Sequence, residues 1–95
     1  MYYFDWDENK NRVNQKKHGV SFEEAATVFF DEEAWVEFDN AHSVEEERFR
    51  IIGYSCMDNV LLVVFCVRDD TDIRIISARK ATGNEIKNYE RRMDL

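Results

Sequence analysis

Residues 60–67, Val-Leu-Leu-Val-Val-Phe-Cys-Val, form the longest apolar run in the sequence. This run has the length of a strand and falls far short of the roughly 20 residues that a membrane-spanning helix needs. It is apolar at every position, so both faces of the strand must be covered, as in the centre of a sheet. Strand-like runs flank it at 48–56 and 72–80, and both linkers are short and rich in turn residues. The three segments predict two consecutive antiparallel hairpins.

Helices are predicted on both sides of these hairpins by three capping patterns. Each pattern is a cap residue three positions before a glutamate: Asp5 with Glu8, Ser21 with Glu24, and Thr82 with Glu85. Gly19 is the expected left-handed stop of the first helix, and short strands are expected at 2–4 and 34–38. The order of elements predicts an α+β fold, with a small, mostly antiparallel β-sheet, two N-terminal helices and one C-terminal helix.

Charge is distributed unevenly over a chain that is long enough for one domain, which we expect to span residues 1–95. The net charge of -7 argues against a general polyanion-binding protein. Residues 1–47 carry 13 acidic and 4 basic side chains, whereas residues 73–92 carry 6 basic and 2 acidic ones. The basic segment therefore indicates a local anion site. With neither a signal-peptide pattern nor a Cys/His zinc spacing, we expect a cytoplasmic protein without metal or cofactor.

Strand register decides which cations share a face of the sheet. If residues 58–59 form a two-residue turn, Ile51 faces Cys66, and a three-residue turn at 69–71 places Cys66 opposite Arg74. Under this register Arg68, Arg74 and Lys80 share one face, and Arg48, Arg50 and Arg79 share the other. The sequence leaves open which of the two faces the helices cover.

Several segments resemble the BrnT family, in order along nearly the whole chain. They are residues 4–10 (FDWDENK), Asn14, residues 17–25 (KHGVSFEEA), Glu47-Arg48 ahead of Ile52-Gly53, and residues 73–82 (IRIISARKAT). BrnT proteins are the toxins of bacterial type II toxin–antitoxin pairs. The resemblance implies a RelE-like fold and a ribonuclease activity that inhibits translation. Ile86 departs from the family, which usually places an arginine there after the glutamate.

Partners also follow from the resemblance. It implies an RNA substrate and a BrnA-type antitoxin that neutralises the toxin. The antitoxin would carry a ribbon-helix-helix domain, so this chain would reach DNA only through the antitoxin, and a toxin–antitoxin heterotetramer is one assembly that would result. No membrane partner is expected.

The candidate catalytic residues are basic, because RNA cleavage without a metal needs cations around the reacting phosphate as well as proton transfer. Arg79 and Lys80 end a strand just before the helix that Thr82 starts, a combination that predicts a phosphate site. We expect Arg79 to contact the transition state and Lys80 either to steer the RNA or to contact a neighbouring phosphate. Arg68 and Arg74 are further candidates, since two neighbouring cations favour an anionic partner or a carboxylate such as Asp72.

Four more residues are candidate RNA contacts, and each also has a structural interpretation. Arg48 and Arg50 could be neutralised by the acidic run 45–47, His18 could bond carbonyls at a helix end, and Tyr89 could pack in the core. The alternative to a ribonuclease is a non-catalytic subunit that binds the antitoxin and tunes repression of the operon. The net charge of -7 favours this alternative, and the basic segment 73–92 favours the ribonuclease.

Overall fold

A computed structural model describes residues 2–42 and 46–93 of the chain. Its elements are β1 (Tyr3–Asp5), α1 (Glu8–His18), α2 (Phe22–Thr27), β2 (Trp35–Phe38), β3 (Phe49–Tyr54), β4 (Val60–Arg68), β5 (Asp72–Lys80) and α3 (Gly83–Met93). The five strands form one sheet in the order β1-β5-β4-β3-β2. Only the β1–β5 pair is parallel. The predicted α+β fold is confirmed.

The helices divide between the two faces of the sheet. The segment containing α1 and α2 covers one face, here called the core face, and α3 lies over one end of the other. Buried side chains between the helices and the core face form the hydrophobic core: Val20, Phe22, Ala25, Val28, Ile51, Leu61, Val63, Phe65, Ile73, Ile75 and Ala78. Within residues 2–42 and 46–93, no helix is long and apolar enough to cross a membrane.

The helix ends follow the predicted capping patterns, with one correction. Asp7 rather than Asp5 caps α1, because its carboxylate accepts hydrogen bonds from the backbone N–H groups of Asn9 and Lys10. Asp5 lies in β1 instead. Gly19 ends α1 in the left-handed conformation, with φ of 70°, as predicted.

The packing of α1 depends on a buried asparagine rather than on an apolar stripe. Val13 is 63% exposed, whereas Asn14 is buried. The Asn14 amide donates to the carbonyl of Ala78 at 2.8 Å and accepts from its N–H at 3.2 Å. It also donates to the carbonyl of Val20 at 2.9 Å. The strand β1 pairs with β5 only at residues 72–74. Farther along β5, the Asn14 amide supplies the hydrogen bonds to the Ala78 backbone that a neighbouring strand would otherwise make.

A β-bulge changes the facing of β5 midway along the strand. Arg68 pairs with Asp72 and Cys66 with Arg74, as the three-residue turn predicts. The register then shifts between Val64 and Phe65, leaving Ile76 as the extra residue. Arg79 consequently faces the same side as Arg74. The prediction that Lys80 shares a face with Arg74 is wrong, because Lys80 pairs with Leu61 on the core face.

The β3–β4 register also differs from the prediction. Ile51 pairs with Val63 instead of Cys66, because the connection is a five-residue loop at 55–59 rather than a two-residue turn. Ser55 organises this loop: its hydroxyl accepts from two backbone N–H groups of the loop and donates to Glu24 at 2.6 Å. The observed register differs from the predicted one by three residues along β4. Because this number is odd, each β4 side chain lies on the opposite face, relative to β3, from the one predicted.

We predict that Asn14→Ala destabilises the fold by about 3 kcal/mol, because it leaves buried backbone groups of β5 without partners. Urea denaturation measures the change in the free energy of unfolding. Asn9→Ala, at an exposed position on the same helix, is the matched control and should change stability by no more than about 0.5 kcal/mol. Equal stability of the Asn14→Ala variant and the wild type would contradict this account of α1 packing.

Candidate functional site

Four sheet arginines lie on the face opposite the core face. Two register differences bring them together: the five-residue loop adds Arg50 to the face that holds Arg68 and Arg74, and the bulge adds Arg79. This surface is called the arginine face below. The predicted division of these arginines between two faces is therefore corrected.

Each of these arginines pairs with a carboxylate. The N–O distances are 2.7 Å for Arg50–Glu37, 3.7 Å for Arg68–Glu46, 2.7 Å for Arg74–Asp5 and 2.8 Å for Arg79–Glu85. Neutralisation by the acidic run 45–47 was one of two interpretations of Arg48 and Arg50. Arg50 pairs instead with Glu37 of β2, and residue 45 lies outside the described residues. Partly exposed ion pairs are weak in water, so a phosphate can compete for these arginines.

Arg79 makes the most extensive of the four ion pairs. Both terminal nitrogens of its guanidinium donate to the Glu85 carboxylate, at 2.8 and 3.0 Å. Glu85 also accepts from the Thr82 N–H, while the Thr82 hydroxyl accepts from the Glu85 N–H, so the predicted capping box is present. These hydrogen bonds, the one from Arg79 first, lower the pKa of Glu85 to about 2. The carboxylate thus occupies the helix N-terminus where the sequence predicts a phosphate.

A groove of about 150 Å³ lies between α3 and the arginine face. Its apolar lining comes from Trp35, Ile52 and Leu62, and its polar lining includes Arg50 and Glu85. The guanidinium carbon of Arg92 in α3 lies 4.1 Å from the centroid of the Trp35 ring. This cation–π interaction connects the end of α3 to β2. The groove therefore offers flat apolar surface beside two arginine–glutamate pairs.

Tyr89 fixes α3 to the sheet. It is 1% exposed, and its hydroxyl donates a short hydrogen bond to the Asp31 carboxylate. The same Asp31 oxygen accepts from the Tyr54 N–H at 2.8 Å, and a Cβ at Gly53 would lie 2.9 Å from it. Burial acts to raise the pKa of Asp31, but hydrogen bonds from Tyr89, Tyr54 and Glu33 outweigh it and lower that pKa. Burial, together with Asp31, raises the pKa of Tyr89.

The remaining candidates lie away from the arginine face or beside it. His18 ends α1, which packs on the core face, so the fold separates it from the four arginines. Lys80 is exposed and lines a depression with Tyr54 and Ile86. Arg48 precedes β3, where its carbonyl accepts from the Asp39 N–H at 2.8 Å. Asp31 is not among the candidates predicted from sequence, because its partners Tyr54 and Tyr89 are distant in the chain.

Metal-ligating side chains are not clustered in the described ranges. No group of three or more His, Cys, Asp or Glu residues within residues 2–42 and 46–93 could hold a metal ion. The arginine face itself offers electrostatic chemistry: cations that can surround a phosphate, with carboxylates beside them.

Comparison with known proteins identifies the class of this domain. Residues 6–85 match the model of a family described as "Ribonuclease toxin, BrnT, of type II toxin-antitoxin system". The domain is therefore a ribonuclease toxin of a type II toxin–antitoxin system, and the chain belongs to the BrnT family. An antitoxin partner follows from this membership.

A crystal structure supports the same assignment. The ribonuclease toxin BrnT of Brucella abortus is 25% identical in sequence and superimposes with a TM-score of 0.67. The match covers 86% of this chain and 99% of that one. No curated protein matches this chain.

The Glu85 interactions make stability depend on pH. The pKa of Glu85 is about 2 in the folded protein against an ordinary value of 4.5, so its contribution is fully present above pH 4.5 and is lost as the pH falls toward 2. We predict that Glu85→Gln lowers the free energy of unfolding at neutral pH by on the order of 1 kcal/mol, and that wild type and variant converge over this acidic window.

Urea denaturation at a series of pH values tests this prediction. Glu90→Gln is the matched control, because Glu90 is exposed on the same helix. Its stability should follow that of the wild type across the acidic range. A difference between wild type and Glu85→Gln that stays constant with pH would count against the assigned role of Glu85.

Proposed function

We propose that this chain is an endoribonuclease that cleaves RNA on its arginine face and thereby inhibits translation. The observation that carries the proposal is the placement of Arg50, Arg68, Arg74 and Arg79 on one sheet face. Spaced cations on a sheet suit the repeating phosphates of a single strand. The neighbouring groove offers apolar and aromatic surface against which a base can pack.

Arg79 is proposed to stabilise the transition state. Its planar fork now holds Glu85 through two hydrogen bonds, and a phosphate presents the same bidentate acceptor geometry. When the reacting phosphate binds the Arg79 guanidinium, Glu85 loses the hydrogen bonds that chiefly lower its pKa. The carboxylate then becomes more basic, and because it lies beside Arg79 it is proposed to accept the proton of the 2′-hydroxyl.

The proposed reaction is an internal displacement at phosphorus. The 2′-oxygen attacks the phosphorus while its proton passes to Glu85, and the bond from phosphorus to the 5′-oxygen breaks. The leaving 5′-oxygen takes up a proton from the solvent, which gives a 2′,3′-cyclic phosphate and a free 5′-hydroxyl, and Glu85 then returns the 2′-hydroxyl proton to the solvent. Arg79 stabilises the negative charge that builds up on the phosphoryl oxygens between these states.

The other candidate residues have supporting roles in this proposal. Arg50, Arg68 and Arg74 would hold neighbouring phosphates along the arginine face. Lys80 and Arg48 would contact RNA beyond it, and His18 would contact only RNA that extends around the domain. Tyr89 is proposed to position α3 through Asp31 rather than to contact RNA, because it is buried.

The proposed partner is a BrnA-type antitoxin with a ribbon-helix-helix domain. In this proposal the toxin contacts DNA only through the antitoxin, within a heterotetramer in the cytoplasm. The acidic residues 1–47 favour a basic antitoxin segment as the docking partner.

One observation favours the alternative of a non-catalytic, antitoxin-binding subunit. All four sheet arginines are already paired with carboxylates of the same chain. A surface neutralised in this way attracts RNA less strongly than free cations would. Inducing the wild type and Arg79→Ala without antitoxin separates the two functions: equal growth and intact RNA in both strains would favour the non-catalytic subunit.

We predict that Arg79→Ala slows RNA cleavage about a hundredfold, because it removes a charged contact made in the transition state. Arg79→Lys should keep RNA affinity and still lose most of the cleavage rate, because lysine lacks the bidentate fork. Single-turnover cleavage of a labelled transcript and a binding titration measure the two effects. Lys87→Ala, at an exposed position on α3, is the control and should cleave at the wild-type rate. A folded Arg79→Ala that cleaves normally would move the site toward Arg68 and Arg74.

We also predict that cleavage needs no metal ion. Purified protein treated with a chelator should cleave the transcript at the untreated rate, because arginines are proposed to stabilise the charge that a metal would otherwise stabilise. Adding Mg²⁺ back controls for effects on RNA structure. Loss of cleavage in chelator that is restored by the metal would refute metal independence.

A further inference from the structure

A second surface, opposite the arginine face, shows a different character. An apolar cavity of about 420 Å³ opens on the core face where α1 and α2 leave it uncovered. Its apolar lining comes from the segment around Phe29 and from four strands or their ends: Phe29, Ala34, Val36, Phe49, Ile51, Phe65, Val67 and Ile73. Val36 and Val67 are 48% and 43% exposed, respectively, so this lining is open to a partner.

The cavity continues into an acidic depression. Phe49, Val67 and Asp70 line both spaces, and the second is also lined by Glu46, Glu47 and Asp69. Among the described residues that line the two spaces, none is basic, and of their carboxylates Glu46 is the one that also pairs with an arginine of the arginine face, Arg68, at 3.7 Å. The combined surface, here called the acidic-rimmed groove, therefore has an apolar floor and a negatively charged border.

The charge of this border discriminates between possible occupants. Carboxylates repel RNA phosphates, so the groove is unsuited to the substrate. A second copy of this chain carries the same net charge of -7 and is also disfavoured. A protein segment with apolar side chains flanked by Lys or Arg complements both the floor and the border.

We propose that the acidic-rimmed groove is the docking site for a basic amphipathic segment of the antitoxin. This inference rests on the proposed function for the identity of the partner, since the antitoxin is the protein that a toxin of this family must bind. The edge strand β2 adds Val36 to the groove, and the turn between β4 and β5 adds Asp70. Docking there leaves Arg50, Arg74 and Arg79 on the opposite face, while Arg68 reaches the border of the groove through its pair with Glu46.

Two variants test the apolar and the charged parts of the groove separately. Val67→Lys replaces exposed apolar surface with a charge that repels a basic segment, and should weaken antitoxin binding at least about tenfold. Asp70→Asn removes one border charge and keeps a residue that tolerates its φ of 66°. It should weaken binding about threefold at low salt and reduce the salt dependence. Val13→Lys, at a 63% exposed position on α1, is the control and should bind as the wild type does.

The measurement is a calorimetric titration of the purified toxin with the purified product of the neighbouring antitoxin gene. Unchanged affinity in both groove variants would overturn the proposal, as would a failure of the wild type to bind this protein. A wild-type toxin that dimerises in sedimentation, and that Val67→Lys converts to a monomer, would show a self-interface and would also overturn it. RNA cleavage by the free toxin is measured in parallel. If the wild-type toxin does not cleave RNA, the ribonuclease proposal is contradicted. The proposal that the antitoxin docks in the groove is tested by the titration alone.

Discussion

The side-chain amide of Asn14 determines how the rest of the domain is assembled around β5. It donates to and accepts from the backbone of Ala78, and it also donates to the carbonyl of Val20 ahead of α2. One buried side chain thus joins α1, the entry to α2 and the strand on which Arg79 lies. An apolar residue of similar size could fill the space but would leave buried backbone groups unsatisfied, and that penalty makes the arrangement specific.

The bulge just before Ala78 gives this interaction a functional consequence. In a regular strand Arg74 and Lys80 would share a face, because side chains alternate with a period of two. The extra residue at Ile76 reverses this alternation, so Arg79 joins Arg74 and Lys80 turns to the core face. Asn14 binds the backbone two positions after the bulge and holds the strand in this shifted phase. The composition of the arginine face therefore depends on a helix that lies on the other side of the sheet.

What the sequence predicts well is local. The caps at Ser21 and Thr82, the stop at Gly19 and the turn at 69–71 each depend on residues a few positions apart, and all are present. The loop at 55–59 could not be predicted, because Ser55 organises it by bonding to Glu24, 31 residues away in sequence. Ile76 gives no signal of a bulge, since it resembles its apolar neighbours. The arginines themselves were identified from sequence, but their carboxylate partners come from other elements and were not.

The acidic composition of the chain is compatible with the reaction proposed for the arginine face, because the four ion pairs differ in strength. Asp5, the partner of Arg74, is 62% exposed at the side chain, and the Arg68–Glu46 distance of 3.7 Å is the longest of the set. Such pairs contribute little in water and yield readily to a denser negative charge. Glu85 is held more firmly, because Arg79 binds it through two hydrogen bonds and Thr82 through a third. A phosphate chain would therefore displace the outer carboxylates first and reach Arg79 only when several contacts already hold the strand in place. Such an order would make Arg79, the arginine proposed to be catalytic, available to a bound polymer in preference to a free phosphate ion.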